Sequence, residues 1–231
     1  MIRAVLTVDD IASANTPALV DYLVGKHIPA LMFAVGEHIE KYPENVIYAL
    51  QHGMVVGNHS YSHPDFAQIP YEEGIAEIEK CGALLEDIYN KAGVERRYRP
   101  FRFPYGSKGG GNKDKYERYF RDKGFSKVDD RKIVYPRWKE SGLDKDIDTL
   151  WTFDFAEYRI RPGSGFSMED VFKRVHDDDP AEGGVLLEDD SYHIILMHDH
   201  EETYAMVPDY YKIMLEHIME NGVTFVEPKF I

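Results

Sequence analysis

Strand-length apolar runs alternate along this chain with segments of helical period, and five of the runs end in clusters of chemically active side chains. Residues 4–8 stop at Asp9-Asp10. Residues 54–56 run through Gly57-Asn58 into His59-Ser60-Tyr61-Ser62-His63. Residues 98–103 end in Arg102-Phe103-Pro104-Tyr105-Gly106, residues 150–155 in Asp154-Phe155-Ala156-Glu157, and residues 193–197 in His198-Asp199-His200-Glu201. Between them, Leu19, Val20, Leu23 and Val24 follow Thr16-Pro17 at helical spacing, with Thr16 expected as the cap. Val46, Ile47 and Leu50 follow Pro43, and Ile75, Ile78, Leu85 and Ile88 mark a helix over about 71–91. Ser167 to Asp170 resembles a capping box ahead of Val171, Phe172 and Val175, and a last helix is expected over 207–221. Such alternation predicts a single-domain α/β fold, a parallel sheet of about seven strands wrapped by helices. It fits either a small irregular barrel or an open doubly wound sheet. Both bind ligands beyond the carboxyl ends of their strands, so the five clusters are expected to share one site.

Composition narrows the function. The 231 residues carry 27 Lys+Arg against 41 Asp+Glu, a net charge of −14, which argues against nucleic acid as a partner. No apolar run approaches the 18 residues of a membrane span. One cysteine, Cys81, excludes an internal disulfide framework and a cysteine-rich metal site. The first residues show no signal-peptide pattern. They predict a cytoplasmic location for the sequence as it stands, and an extracytoplasmic one if the native chain begins further upstream. Residues 107–150 read as an insertion that could cap the cleft, with the polar stretch 129–150 irregular. Gly109-Gly110-Gly111 lacks the strand-loop-helix context of a phosphate loop.

Each cluster offers a role and a plainer alternative. Asp9-Asp10 is either a solvated turn or two carboxylates that share a pocket through a cation. Pro64 stops a helix from continuing, so His59 and His63 belong to a single turn or loop; on a helical turn they would lie on one face and could grip one ion. With Asp10 they make three ligands and leave a position open for water, the pattern of a catalytic metal and not of a structural one. Arg102 could bind a carboxylate such as Asp9, and the turn after it exposes backbone N–H groups to an oxyanion. His198 is either a satisfied core histidine or a general acid.

In order, these clusters resemble the motifs of the polysaccharide deacetylase family, carbohydrate esterase family 4: T-F-D-D, H-[ST]-x-x-H, R-P-P-Y-G, D-x-x-D-W and L-x-H. Here they stand as Thr7-Val8-Asp9-Asp10, His59 to His63, Arg102 to Gly106, Asp154 to Tyr158 and Leu196-Met197-His198. The resemblance implies a deformed (β/α) barrel with fewer than eight strands. It implies one divalent ion on Asp10, His59 and His63, zinc foremost, with cobalt, nickel or manganese as alternatives. Asp9 would be the general base, oriented by Arg102, and the Tyr105 N–H would bind the oxyanion. Glu157 would hold His198, the general acid, while Tyr158 and Leu196 line the pocket for the acetyl methyl. The implied activity is removal of N-acetyl groups, less readily O-acetyl groups, from a sugar or polysaccharide. A silent glycan-binding relative and a deformylase or other C–N amide hydrolase of the same fold are the alternatives. Four positions depart from the motifs: Ile11, Phe103, Glu157 and Tyr158. Glu157 has one methylene more than the usual Asp and must fold to reach His198.

Overall fold

In the computed structural model, which describes every residue except 182, the first strand lies at the centre of the sheet. β1 (Ile2–Ile11) pairs in parallel with β2 (Ala30–Ala34) on one side and β5 (Tyr192–His198) on the other. β3 (Val55–Asn58) extends the sheet beyond β2, and the short β4 (Phe153–Asp154) extends it beyond β5. β6 (Val223–Phe225) pairs with residues 2–4 of β1. Both faces of β1 are covered, which is why its sequence is a continuous apolar run and not an alternating one.

The period of two sorts its side chains. Ala4, Leu6 and Val8 join Met32, Ile195 and Met197 in a core against the surrounding helices. Val5 points the other way and packs with Leu31, Phe33 and Ile194. Ile133 and Trp138 from the polar stretch, with Val128 just before it, insert into that second cluster. Thr7 and Asp9 share the inward parity of Val5, as Leu196 and His198 share that of Ile194.

Between β3 and β4 the ring closes through irregular chain. Phe101 makes one parallel bridge to Asn58, and its carbonyl accepts the Thr149 N–H at 2.8 Å. The strand expected over 98–103 is reduced to this bridge, because Pro100 has no N–H to give a ladder and Pro104 ends the extended chain. The described residues therefore form six strands, with Phe101 at the seventh position. Gly57 is needed here, since a Cβ would stand 2.8 Å from the Pro100 carbonyl oxygen.

The helices are α1 (Thr16–Gly25), α2 (Gly36–Lys41), α3 (Pro43–Gln51), α4 (Tyr71–Ala92), α5 (Lys113–Asp122), α6 (Pro136–Glu140), α7 (Met168–Val175), α8 (Glu201–Met206) and α9 (Tyr210–Glu220). The long helix expected over 71–91 is α4, stopped by Gly93 at φ 69°. At α7 the capping box forms, with the Ser167 N–H on Asp170 at 2.9 Å. Thr16 is not a cap. Its hydroxyl accepts the Ser13 N–H and bonds Asp199 at 2.5 Å, so it serves the loop after β1. The last helix, expected over 207–221, is α9, which begins after Pro208, and the short α8 precedes that proline.

Candidate active site

Asp9 is the last inward residue of β1 and is almost fully buried. Its Oδ1 accepts a 2.7 Å hydrogen bond from Arg102 Nη1, a short charge-assisted contact. Arg102 is itself wholly buried. Nη1 also donates to the Thr7 hydroxyl, Nε donates to the Thr149 carbonyl, and the guanidinium lies over the Phe33 ring at 4.5 Å. The fork is thus held from three segments, and it fixes Asp9 in one orientation.

Asp10 follows with φ 65°, in the left-handed region, where the register between β1 and β2 shifts. That turn explains how two adjacent carboxylates reach the same cleft. In a continuing strand Asp10 would face the helices. His38 fixes the turn by bonding the Asp10 carbonyl at 2.7 Å.

His59 and His63 do meet, their ring centroids 4.9 Å apart, but no helical turn brings them together. Ser60 and His63 both have positive φ, and the loop is tied by side chains instead. Asn58 accepts the Ser60 N–H, Ser60 accepts the His63 N–H, and Glu77 accepts the N–H groups of Tyr61 and Ser62. His59 Nδ1 lies 2.8 Å from the Arg102 carbonyl, so it carries the proton and leaves the Nε2 lone pair to the cleft. Burial pushes the His59 imidazole down to about 3, with His63 adding to the fall and Asp10 opposing it. His59 Nε2 stands 3.6 Å, and His63 Nε2 3.4 Å, from Asp10 Oδ1. That oxygen is buried and takes no hydrogen bond. The ligand atoms of the three residues all lie within 4.8 Å of one another. An orphaned carboxylate oxygen among imidazole nitrogens is a donor set with nothing to donate to, and it fits a divalent cation.

Across the cleft, His198 ends β5. Glu157, fully buried, folds back so that its Oε1 accepts from the His198 backbone N–H and lies 3.2 Å from His198 Nδ1. The longer arm therefore reaches. Burial alone would lower the His198 imidazole, but the Glu157 carboxylate outweighs it, and Asp10 and Asp154 add to the rise, to about 10. Tyr158 packs edge-on against the His198 ring at 4.8 Å. His200 also lines the cleft, but its ring partner is the Thr203 hydroxyl, and burial lowers it against the pull of Asp10.

The cleft is a cavity of about 380 Å³ that brings Asp9, Asp10, His59, His63, Tyr105, Tyr158, Leu196 and His198 together. Tyr105 sits at its rim, exposed and at φ 58°, with its ring against His63. Trp151, Asp154 and Arg161 also line it and were given no role from sequence. Asp154 had a signal, since it opens the fourth motif. Burial pushes its carboxyl up to about 6, against the pull of His198. A second buried acidic group, Glu117, Asp146 and Asp148, left no trace in the sequence. Lys108, 2.5 Å from Asp148, and Lys113, 2.8 Å from Asp146, pair with the two aspartates, while burial and the neighbouring Asp148 push the Glu117 carboxyl up to about 7.

The family model described as polysaccharide deacetylase matches residues 2–126, more than half of the chain. Peptidoglycan-N-acetylglucosamine deacetylase of Bacillus cereus is 37% identical over 102 residues, 44% of this chain and 35% of that protein. Chitin deacetylase 1 of Cryptococcus neoformans is 35% identical over 101 residues, 44% of this chain and 20% of that one. The chain thus matches about a third or less of the length of these relatives. Among solved structures, a polysaccharide deacetylase from Bacillus cereus superposes with a TM-score of 0.66 at 23% identity, over 98% of this chain and 92% of that one. The catalytic domain of a peptidoglycan N-acetylglucosamine deacetylase from Eubacterium rectale gives 0.66 at 19% identity, over 97% and 87%. At such identities the likeness speaks for the fold, the deformed (β/α) barrel described above. With the family model covering the first three of the five clusters, this chain belongs to the polysaccharide deacetylase family.

Proposed function

We propose that this protein is a metal-dependent hydrolase that removes N-acetyl groups from a glycan. The observation that carries the reading is the meeting, in one cleft, of an unsatisfied Asp10-His59-His63 donor set with a fixed carboxylate, Asp9, and a carboxylate-backed imidazole, His198. The relatives named for peptidoglycan and chitin support an N-acetylated hexosamine polymer as the substrate class.

Asp10, His59 and His63 would hold the cation, and one carboxylate with two imidazoles suits zinc. When bound, it would supply Lewis-acid polarisation of the acetamide carbonyl and of a water molecule. Asp9 takes the proton of the attacking water, its free oxygen directed into the cleft by the Arg102 bond on the other. The backbone N–H of Tyr105 faces the tetrahedral oxyanion. His198, charged through its pairing with Glu157, gives its Nε2 proton to the departing amine, which leaves poorly without one. Tyr158 and Leu196 enclose the acetyl methyl.

The test is release of acetate and free amine from N-acetylglucosamine oligomers, with and without chelator. The expected result is release that a chelator abolishes and zinc restores. Metal-loaded protein that binds the oligomers without cleaving them would assign the chain to the silent, glycan-binding class.

A further inference from the structure

The proposed mechanism leaves one buried group of titratable side chains unused. Glu117, Asp146 and Asp148 are buried, yet none of them lines the cleft. Burying carboxyls together costs free energy, and their contacts converge on one segment, residues 146–149. That segment belongs to no helix or strand, so side chains place it. The Ile147 N–H donates to Glu117 Oε2 at 2.8 Å. Lys108 donates to Asp148 at 2.5 Å and pairs with Asp146 at 3.0 Å, and Lys113 adds a second cation at Asp146. Lys127 donates to the Asp146 carbonyl at 2.8 Å and to Asp130. Thr149 ends the segment. Its N–H lies on the Phe101 carbonyl, and its own carbonyl accepts Arg102 Nε at 2.8 Å. The Arg102 fork in turn fixes Asp9.

Charge and hydrogen bonding set the terms of this arrangement. Lys108 and Lys113 match Asp146 and Asp148. Glu117 has only Arg121, at 3.9 Å from its Oε2 and more than half exposed. Glu117 Oε1 and Asp148 Oδ2 are both buried without a donor, and the two carboxyls are hydrogen-bond neighbours. Two acceptors in that relation are satisfied together by one proton between them. Both cannot be ionised at such range without repulsion. The rise of Glu117 to about 7 follows from the same burial and the same neighbour.

We propose that Glu117 and Asp148 are positioning residues for the general base, with a proton shared between their carboxyls holding residues 146–149 in place. The Thr149 carbonyl then steers Arg102, and Arg102 aims Asp9. The inference rests on the deacetylase reading above and adds a group outside the cleft on which the geometry of the base depends. Loss of the shared proton leaves two charges in contact, drives the segment apart and loosens the Arg102 fork.

The experiment measures kcat and KM of the zinc-loaded protein on an N-acetylglucosamine oligomer from about pH 6 to about pH 8.5, for the parent, Glu117→Gln and Glu117→Ala. Gln keeps an acceptor for the Ile147 N–H and donates an amide hydrogen to Asp148 at every pH, as the protonated acid does. The ratio of variant to parent cancels the titrations of Asp9 and His198, which both proteins share. The kcat ratio of Glu117→Gln to the parent should rise about threefold or more across pH 7, with KM and zinc content unmoved. A merely structural role would give a ratio that pH does not change. Glu117→Ala, which offers Asp148 nothing, should lose about tenfold in kcat over the whole range. A flat ratio for Glu117→Gln, or parental kcat in Glu117→Ala, would overturn the positioning role and leave the deacetylase reading intact. A second measurement stands apart from activity and needs only the isosteric variant. In carbon-13 NMR of labelled glutamate carboxyls, the Glu117 signal is the one absent from Glu117→Gln, and it should titrate near pH 7. A midpoint below about pH 5, the ordinary glutamate range, would overturn the shared proton and the proposal with it. No acetate from the parent at any pH would overturn the deacetylase reading first, and the positioning role with it.

Discussion

Asp9 and His198 are register partners on neighbouring parallel strands. Adjacent strands run about 4.8 Å apart. The proposed base and acid therefore project side by side from the sheet into one cleft, Asp9 held by Arg102 and His198 by Glu157. The geometry comes from the sheet, and the two long-range contacts lock the rotamers.

The ligand set gives the first prediction. His59→Ala removes a ligand imidazole whose tautomer the Arg102 carbonyl fixes. Metal retained after dialysis, measured by elemental analysis, should fall about tenfold or more, with activity falling alongside. Full occupancy in that variant would reassign the site.

Asp9 lies 3.5 Å from His59 Nε2 but spends one oxygen on Arg102. Asp9→Asn is expected to keep the metal and lose about 10²–10⁴ in kcat, the span of a lost general base. Loss of the metal instead would make Asp9 a ligand.

His198 gives a pH prediction with a definite sign. Its folded value, about 10, lies above the ordinary 6.5. Its pairing with Glu157 thus stabilises the fold fully below about pH 6.5, and that contribution is lost as pH rises toward 10. In metal-free protein, melting temperature should fall over this window, and Glu157→Gln should flatten the fall. The same variant should move the basic limb of the rate profile to lower pH. His198→Ala should cost about 10²–10⁴ on an N-acetyl substrate and less on an aryl acetate, whose phenolate leaves unprotonated. Equal losses on both would make His198 structural.

Asp154 has the opposite consequence at neutral pH. Burial raises its carboxyl from 3.8 to about 6, so the ionised form costs stability above that value, and the cost vanishes below about pH 4. Asp154→Asn keeps an acceptor for the Ala156 N–H, 2.8 Å from Oδ1. Its melting temperature should exceed that of the parent at pH 8 and match it near pH 3.5. A lower value at pH 8 would contradict the burial argument.

Much of this was legible in the sequence because strand ends and site coincide. Apolar runs located β1, β3 and β5, and the polar residues that stopped them are the ones lining the cleft. Local patterns misled where long-range contacts decide. The i, i+4 spacing of His59 and His63 suggested a helical turn, yet Glu77, from a helix further along, ties a loop of positive-φ residues. Thr16 looked like a cap until Asp199, more than 180 residues away, claimed its hydroxyl. Residues 98–103 have strand composition, but Pro100 denies them a ladder. The Glu117-Asp146-Asp148 group is assembled from segments with no shared periodicity, so only the folded chain brings it together.

The central claim is that one cation on Asp10, His59 and His63 makes this cleft an amide hydrolase. Titrating zinc into chelator-stripped protein, while following acetate release from an N-acetylglucosamine oligomer, tests it most directly. The account expects activity to rise linearly and break at one equivalent per chain, with no rise for His63→Ala over the same range. Stripped protein that cleaves the oligomer at the full rate, or saturated protein that releases no acetate, would contradict it.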